Sequence, residues 1–132
     1  MKKILLSIII SLTSHHSFAQ TDIKPNDNTT QQNINVVPYR LFATQNLWIF
    51  IKLNTRTGQM WLVQFGLESD KRLVADLNSL SLVSTDKEAN DRFTLYPTQN
   101  IYTFLLLDQL NGRTWQVQWS FDPLDRGIFP IK

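Results

Sequence analysis

Cysteine is absent from this sequence, and histidine is nearly so. The two histidines, His15 and His16, both lie in an N-terminal stretch that has the features of an export signal. After export the chain would carry neither imidazole nor thiol. That excludes disulfides, nucleophilic triads that use histidine, and zinc or copper sites built on these ligands. Carboxylate, Lys, Tyr or Ser/Thr chemistry remains open, but no spacing of carboxylates indicates a catalytic cleft. We therefore expect no catalytic residues, no metal and no cofactor.

Long apolar runs are also scarce. One stretch, residues 4–12, is too short to span a bilayer; Lys2 and Lys3 precede it and the small-x-small sequence of residues 17–19 follows. We predict a signal peptide over residues 1–19 and a secreted or periplasmic protein without a membrane span. Residues 20–36 are polar and lack an apolar period, which predicts a flexible leader.

An excess of charge is missing as well. The chain has 13 basic and 11 acidic residues, and removal of Lys2 and Lys3 with the signal leaves 11 of each. Nucleic-acid binding requires a clustered positive surface, so we expect no nucleic-acid partner.

What the sequence does contain is an internal repeat. Residues 41–65 recur 54 positions later as residues 95–119. The matching positions include Thr44/Thr98, Gln45/Gln99, Asn46/Asn100, Phe50/Phe104, Leu53/Leu107, Gly58/Gly112, Trp61/Trp115, Val63/Val117 and Gln64/Gln118. Each copy is a unit whose apolar face must be buried, most economically against its sibling. We predict one duplicated β-domain over residues 37–132, with repeats at 37–83 and 91–132.

Alternating apolar residues and regularly spaced turn residues indicate short strands in each copy. The strands are predicted at 37–43, 48–53, 59–65, 72–77, 92–96, 102–107, 113–119 and 127–131. The fold class is therefore all-β, with two pseudo-symmetric four-stranded repeats that form a small sandwich or barrel. In the central hairpin of each repeat, Asn54 or Asp108 is expected to hold the turn amides, and Gly58 or Gly112 to take a left-handed conformation.

The third strand of each copy has one aromatic face. Trp61, Val63 and Phe65 alternate with Met60 and Leu62 in the first copy, and the second copy repeats the aromatic positions but is polar on the other face. The aromatic face is expected to be core in both copies. Met60 and Leu62 then form a candidate interface, covered either by the leader or by a partner molecule.

The most prominent polar feature is Thr-Gln-Asn, which precedes an aromatic-rich strand in both copies. It predicts either two related ligand pockets or two tight turns that satisfy loop amides. In addition, the mid-strand glutamines are either solvent-face residues or hydrogen-bonding partners of these turns, and we favour the second. The candidate ligand-binding residues are Gln45, Asn46, Trp48 and Gln64 in the first copy and Gln99, Asn100, Tyr102 and Gln118 in the second.

Two resemblances follow from these motifs. Residues 53–61 and 107–115 resemble the tryptophan-docking motif of quinoprotein-type β-propeller blades, although the tryptophan comes one residue early and two copies are too few to close a propeller. Residues 37–132, with their duplicated β-hairpin repeat and signal, are similar to small uncharacterised secreted proteins of Bacteroidota-type bacteria. This resemblance implies no known activity.

Three functions are compatible with these features. The first is a non-catalytic binding module for a glycan or a protein. The second is a structural or interaction protein that self-associates as a homo-oligomer, or joins an envelope assembly, through the Met60 and Leu62 face. The third is an inhibitor or immunity-type protein, for which the size is suitable but no dedicated signature is present.

Overall fold

A computed structural model describes residues 37–132 of the protein. The predicted signal peptide and leader, residues 1–36, lie outside the described residues. The first repeat contains strands β1 (Tyr39–Ala43), β2 (Ile49–Asn54), β3 (Met60–Gln64) and β4 (Leu73–Asn78). The second repeat contains β5 (Phe93–Pro97), β6 (Thr103–Asp108), β7 (Thr114–Gln118) and β8 (Gly127–Ile131).

Each repeat forms its own four-stranded antiparallel sheet, in which neighbours along the chain are neighbours in space. We call β1-β2-β3-β4 sheet one and β5-β6-β7-β8 sheet two. The all-β fold with two four-stranded repeats is thus confirmed. The sheets are not closed into a barrel, and their buried side chains join in a single core.

The repeat in the sequence is also a repeat in strand register. Leu41 pairs with Lys52 in sheet one, and the residues 54 positions later, Leu95 and Leu106, pair in sheet two. The register follows from the hairpin turns. Asn54 Oδ1 accepts a hydrogen bond from the Arg56 amide at 3.0 Å, as Asp108 Oδ1 does from the Leu110 amide at 3.1 Å. The glycines that end these turns, Gly58 and Gly112, have φ values of 79° and 76°, so the predicted left-handed turn is confirmed.

The two sheets stack with unlike faces together. We call the face that carries Trp61 or Trp115 the front face of its sheet, and the opposite face the back face. Sheet two buries its front face, through Phe93, Leu95, Phe104, Leu106, Trp115, Val117 and Trp119. Sheet one buries its back face, through Ile49, Ile51, Leu53, Met60 and Leu62. The front face of sheet two therefore packs on the back face of sheet one.

This stacking corrects two expectations. Met60 and Leu62 are 0% and 1% exposed and lie in the core, so they do not form a surface for a partner. What covers them is the second repeat. The aromatic face of β3 is not core in sheet one, where Trp61 and Val63 are half-buried and Phe65 is 45% exposed. The physical reason is that sheet one is apolar on both faces, whereas sheet two is apolar mainly on its front face. Packing the back face of sheet one on the front face of sheet two therefore removes the most apolar surface from water.

Candidate functional site

Each sheet carries an open cleft where its second strand begins and its third strand ends. Cleft one has a volume of about 340 Å³, and cleft two of about 560 Å³. Cleft one is lined by Trp48, Gln64, Phe65, Gly66, Leu67, Glu68 and Lys71. Cleft two is lined by Tyr102, Gln118, Trp119, Ser120, Phe121 and Asp125, together with Asn46 from the first repeat. Six lining positions of cleft one recur 54 residues later in cleft two, so the clefts are related by the duplication.

Aromatic rings define each cleft, two in cleft one and three in cleft two. The ring centroids of Trp48 and Phe65 are 5.1 Å apart, and those of Tyr102 and Trp119 are 5.3 Å apart. The backbone fixes each pair, because the amide of Phe65 donates to the Trp48 carbonyl at 3.1 Å and the amide of Trp119 donates to the Tyr102 carbonyl at 3.0 Å.

The clefts differ in which of their aromatic rings are exposed. Trp48 and Phe65 are 43% and 45% exposed. In cleft two, by contrast, Trp119 is buried and its indole Nε1 donates to the Ile101 carbonyl at 3.0 Å. Cleft one consequently presents two adjacent rings to solvent, whereas cleft two presents Tyr102 and Phe121, which are 50% and 54% exposed and each contact the buried Trp119 ring.

The Thr-Gln-Asn segments are turns that position these rings. In the first copy, Thr44 Oγ1 donates to the Ile49 carbonyl at 2.9 Å, and Asn46 Oδ1 accepts from the Trp48 amide at 2.9 Å. The second copy repeats both bonds at the same distances, from Thr98 Oγ1 to the Thr103 carbonyl and from the Tyr102 amide to Asn100 Oδ1. The threonine hydroxyl and asparagine oxygen are thereby committed to local backbone groups.

The predicted ligand residues do not form one site. Trp48 and Gln64 line cleft one, while Asn46, Tyr102 and Gln118 line cleft two. The remaining three line a groove of about 370 Å³ between the two Thr-Gln-Asn turns: Gln45, Gln99 and Asn100.

The favoured prediction that the mid-strand glutamines hydrogen-bond the Thr-Gln-Asn turns is wrong. Within residues 37–132, no hydrogen bond joins the Gln64 or Gln118 side chain to a Thr-Gln-Asn turn, because the threonine and asparagine already satisfy the turn's groups. Each glutamine instead lines its cleft, and its amide is available to a ligand.

Sequence reasoning missed two parts of cleft one: Phe65 and the loop that follows it. Arg72 Nε donates to the Gly66 carbonyl at 2.9 Å, and its Nη2 donates to the Leu67 carbonyl at 2.7 Å, which holds the cleft wall in place. The sequence predicts Phe65 in the core, whereas its side chain is 45% exposed. The 54-residue repeat was the signal that could have found this loop, because it pairs Leu67 with Phe121 and Lys71 with Asp125 in the second copy.

A buried ion pair lies away from both clefts, at the start of the second repeat. Asp108 and Arg92 are 0% and 7% exposed; Arg92 Nη2 lies 2.8 Å from Asp108 Oδ2, and its Nε lies 3.1 Å from both carboxylate oxygens. Burial alone would raise the pKa of Asp108. Hydrogen bonds from Arg92 and the Leu110 amide, with the charge of Arg92, outweigh burial and lower that pKa. A carboxylate enclosed in this way has a structural role.

We expect the stability that Asp108 contributes to be lost on acidification. Since its folded-state pKa is below the unfolded value of about 3.9, the contribution is complete above that value and declines as the pH falls through the folded pKa. Urea unfolding of the wild type and Asp108→Asn should therefore differ most near neutral pH, with the gap narrowing in strong acid. A gap that stays constant across the acid range would contradict this assignment.

Residues 37–132 hold no group of three or more His, Cys, Asp or Glu side chains arranged for a metal ion, and this part of the chain has no helix long and apolar enough to cross a membrane. No protein-family model, curated protein or solved structure matches the chain. Fold and site together define a duplicated β-sandwich with two related aromatic clefts.

Proposed function

We propose that the protein is a secreted or periplasmic, non-catalytic binding module, and that its ligand is a glycan held in cleft one. The observation that carries the proposal is the pair of solvent-facing rings, Trp48 and Phe65, beside the uncommitted amide of Gln64. The C–H face of a sugar ring stacks on such rings, and the sugar hydroxyls bond amide and charged groups at the rim. Glu68 and Lys71 supply those charged groups.

The composition of cleft one favours binding over hydrolysis. Glycoside hydrolysis needs two carboxyl groups on opposite sides of the scissile bond. The cleft lining contains a single carboxylate, Glu68, so the arrangement supports recognition of a sugar without its cleavage.

A protein ligand is the second candidate, and the apolar rim of cleft one favours it. Leu67 is 89% exposed in the loop that walls the cleft, and Leu47, next to Trp48, is 76% exposed. Exposed leucines around an aromatic anchor are typical of a protein-binding patch. In that case Leu67→Ser should weaken binding, whereas a sugar held between rings and amide should be less affected.

Alanine substitution of Trp48 tests the site. We expect Trp48→Ala and Gln64→Ala each to weaken glycan binding about tenfold or more, because each removes an interaction of about 1–2 kcal/mol. Neither should move the melting temperature much, since both side chains lie at the surface. The measurement is binding of the chain to an array of immobilised oligosaccharides, followed by titration calorimetry with the strongest hit.

Tyr102→Ala in cleft two is the matched control. The ring adjacent to Tyr102, that of Trp119, is buried, so cleft two lacks a pair of adjacent exposed rings and loss of Tyr102 should affect binding less than loss of Trp48. If no oligosaccharide binds, or if Trp48→Ala binds as the wild type does, the glycan proposal is wrong. If Trp48→Ala unfolds the chain, the ring belongs to the fold and cleft one is not a ligand site.

A further inference from the structure

The stacking of the two sheets leaves the front face of sheet one uncovered, although the equivalent face of sheet two is buried. The front face of sheet two is core, through Phe104, Trp115 and Val117 among others. The front face of sheet one carries the same residue types at the equivalent positions: Phe50, Trp61 and Val63. No sheet of residues 37–132 covers this second front face.

The uncovered front face of sheet one is largely apolar. Tyr39, Leu41 and Val74 are 51%, 60% and 59% exposed. They lie in register with the β2 and β3 residues of the same face. An exposed apolar sheet face of this kind marks an interaction surface.

The back face of sheet two is uncovered too. One row across this face runs Tyr96, Leu105, Gln116 and Phe129, in successive register from β5 to β8. Tyr96, Leu105 and Phe129 are 51%, 38% and 54% exposed. The molecule thus ends in a free front face on one side and a free back face on the other.

We propose that copies of this chain associate head to tail, with the back face of sheet two in one copy covering the front face of sheet one in the next. The contact between the two sheets within one chain is the model for this association, because there the front face of sheet two packs on the back face of sheet one. Such an interface is heterologous and adds copies in one direction, either to a closed ring or to an open chain.

The front face of sheet one carries two charged residues, Lys52 and Asp76, both in register with Trp61, and they favour an uncharged partner face. Lys52 lies on the front face of sheet one, with its Nζ 4.5 Å from the centre of the Trp61 ring. A front-to-front contact would bring two copies of each charge into one interface, so four charged groups would lose water in place of two. The back-face positions of sheet two include no charged residue, and Thr114 and Gln116 there provide acceptors for Lys52.

A neighbouring copy would also complete cleft one. Within the chain, Asn46 from the turn of the first repeat lines cleft two of the second. The 54-residue equivalent of Asn46 is Asn100, so the same stacking brings Asn100 of the neighbouring copy to cleft one. This consequence rests on the proposed ligand site; the association itself does not, and it would survive failure of the glycan assay.

Two charge variants test the proposal. Val63→Glu blocks the front face of sheet one, and Leu105→Glu blocks the back face of sheet two. By light scattering coupled to size exclusion, we expect the wild type to form oligomers that grow with concentration, and each variant to be monomeric. An equimolar mixture of the two should form a one-to-one dimer, because the first retains a free back face and the second a free front face.

Three further substitutions complete the test: two guard against misfolding, and one predicts stronger association. Leu41→Glu and Phe129→Glu change more exposed residues of the same two faces and should reproduce the monomers and the mixed dimer. Lys52→Leu copies Leu106, its equivalent in the buried front face, and should strengthen association about tenfold. Circular dichroism and melting temperature report whether each variant keeps the fold.

Several results would overturn the proposal. A wild type that is monomeric at every concentration means that residues 1–36 or a different molecule covers the front face. Loss of association in the front-face variants alone indicates a front-to-front dimer. A mixture of folded variants that stays monomeric excludes the head-to-tail contact.

Discussion

Trp115→Ala is expected to lower the free energy of unfolding by about 3–5 kcal/mol, as truncation of a buried tryptophan usually does. Trp115 is 7% exposed and lies in the core between the sheets, with its ring centroid 6.2 Å from that of Phe93. Net stability of a domain this size is about 5–15 kcal/mol. The substitution should therefore leave a marginal fold, which urea denaturation followed by far-UV circular dichroism would show.

Trp61→Ala is the matched control, since it removes the same residue type from the same position of the other repeat. Trp61 is half-buried, and its neighbours are Tyr39, at 6.3 Å between centroids, and the Lys52 ammonium group. Part of its ring already contacts water, so we expect a cost of about 1–2 kcal/mol.

The comparison should be made at low protein concentration, because Trp61 lies on the proposed association face. Equal costs for the two tryptophans would contradict the unequal stacking of the sheets. They would indicate that both front faces are core, as the sequence alone suggested.

Arg92→Leu is the second substitution with a large expected effect, again about 3–5 kcal/mol, because it leaves a buried carboxylate without its main partner. Asp108 would keep the Leu110 amide at 3.1 Å and Arg113 Nη2 at 3.5 Å, and neither replaces the two-pronged contact of Arg92. The Lys87 carbonyl would lose its hydrogen bond from Arg92 Nη1 as well. Urea denaturation at neutral pH measures the loss.

The double variant Arg92→Leu with Asp108→Asn distinguishes an unpaired charge from lost packing. Asparagine already occupies the equivalent position 54, where it holds the same turn by accepting from the Arg56 amide. The second substitution should therefore recover part of the stability lost in Arg92→Leu. If the double variant is less stable than Arg92→Leu alone, the unpaired charge is not the cause of the loss.

The strands and turns of this protein could be predicted from local patterns. The last predicted strand, residues 127–131, coincides with β8, and the other seven agree within two residues at each end. Side-chain alternation reports a strand without reference to what it packs against. The glycine at the end of each hairpin has the predicted positive φ, because turn conformation depends on residues adjacent in sequence.

The buried faces could not be predicted in the same way. Trp61 and Trp115 have nearly the same neighbours along the chain, yet one is half-buried and the other is core. Met60 and Leu62 correctly indicated a second apolar surface in sheet one, but the second repeat buries it in place of the leader or a partner molecule. For the candidate site, Trp48 and Gln64 were identified, whereas Phe65 was not, because its exposure depends on which face of sheet one meets sheet two.

By itself, the sequence determined the strands, the turns and the equal registers of the two repeats, since these depend on residues close along the chain or directly paired across a hairpin. Only the tertiary structure decided which face of each sheet became core and which stayed open beside cleft one. Burial is a property of two faces in contact, and two nearly identical repeats leave open which face meets which. In this molecule the front of sheet two met the back of sheet one, and the front of sheet one remained exposed.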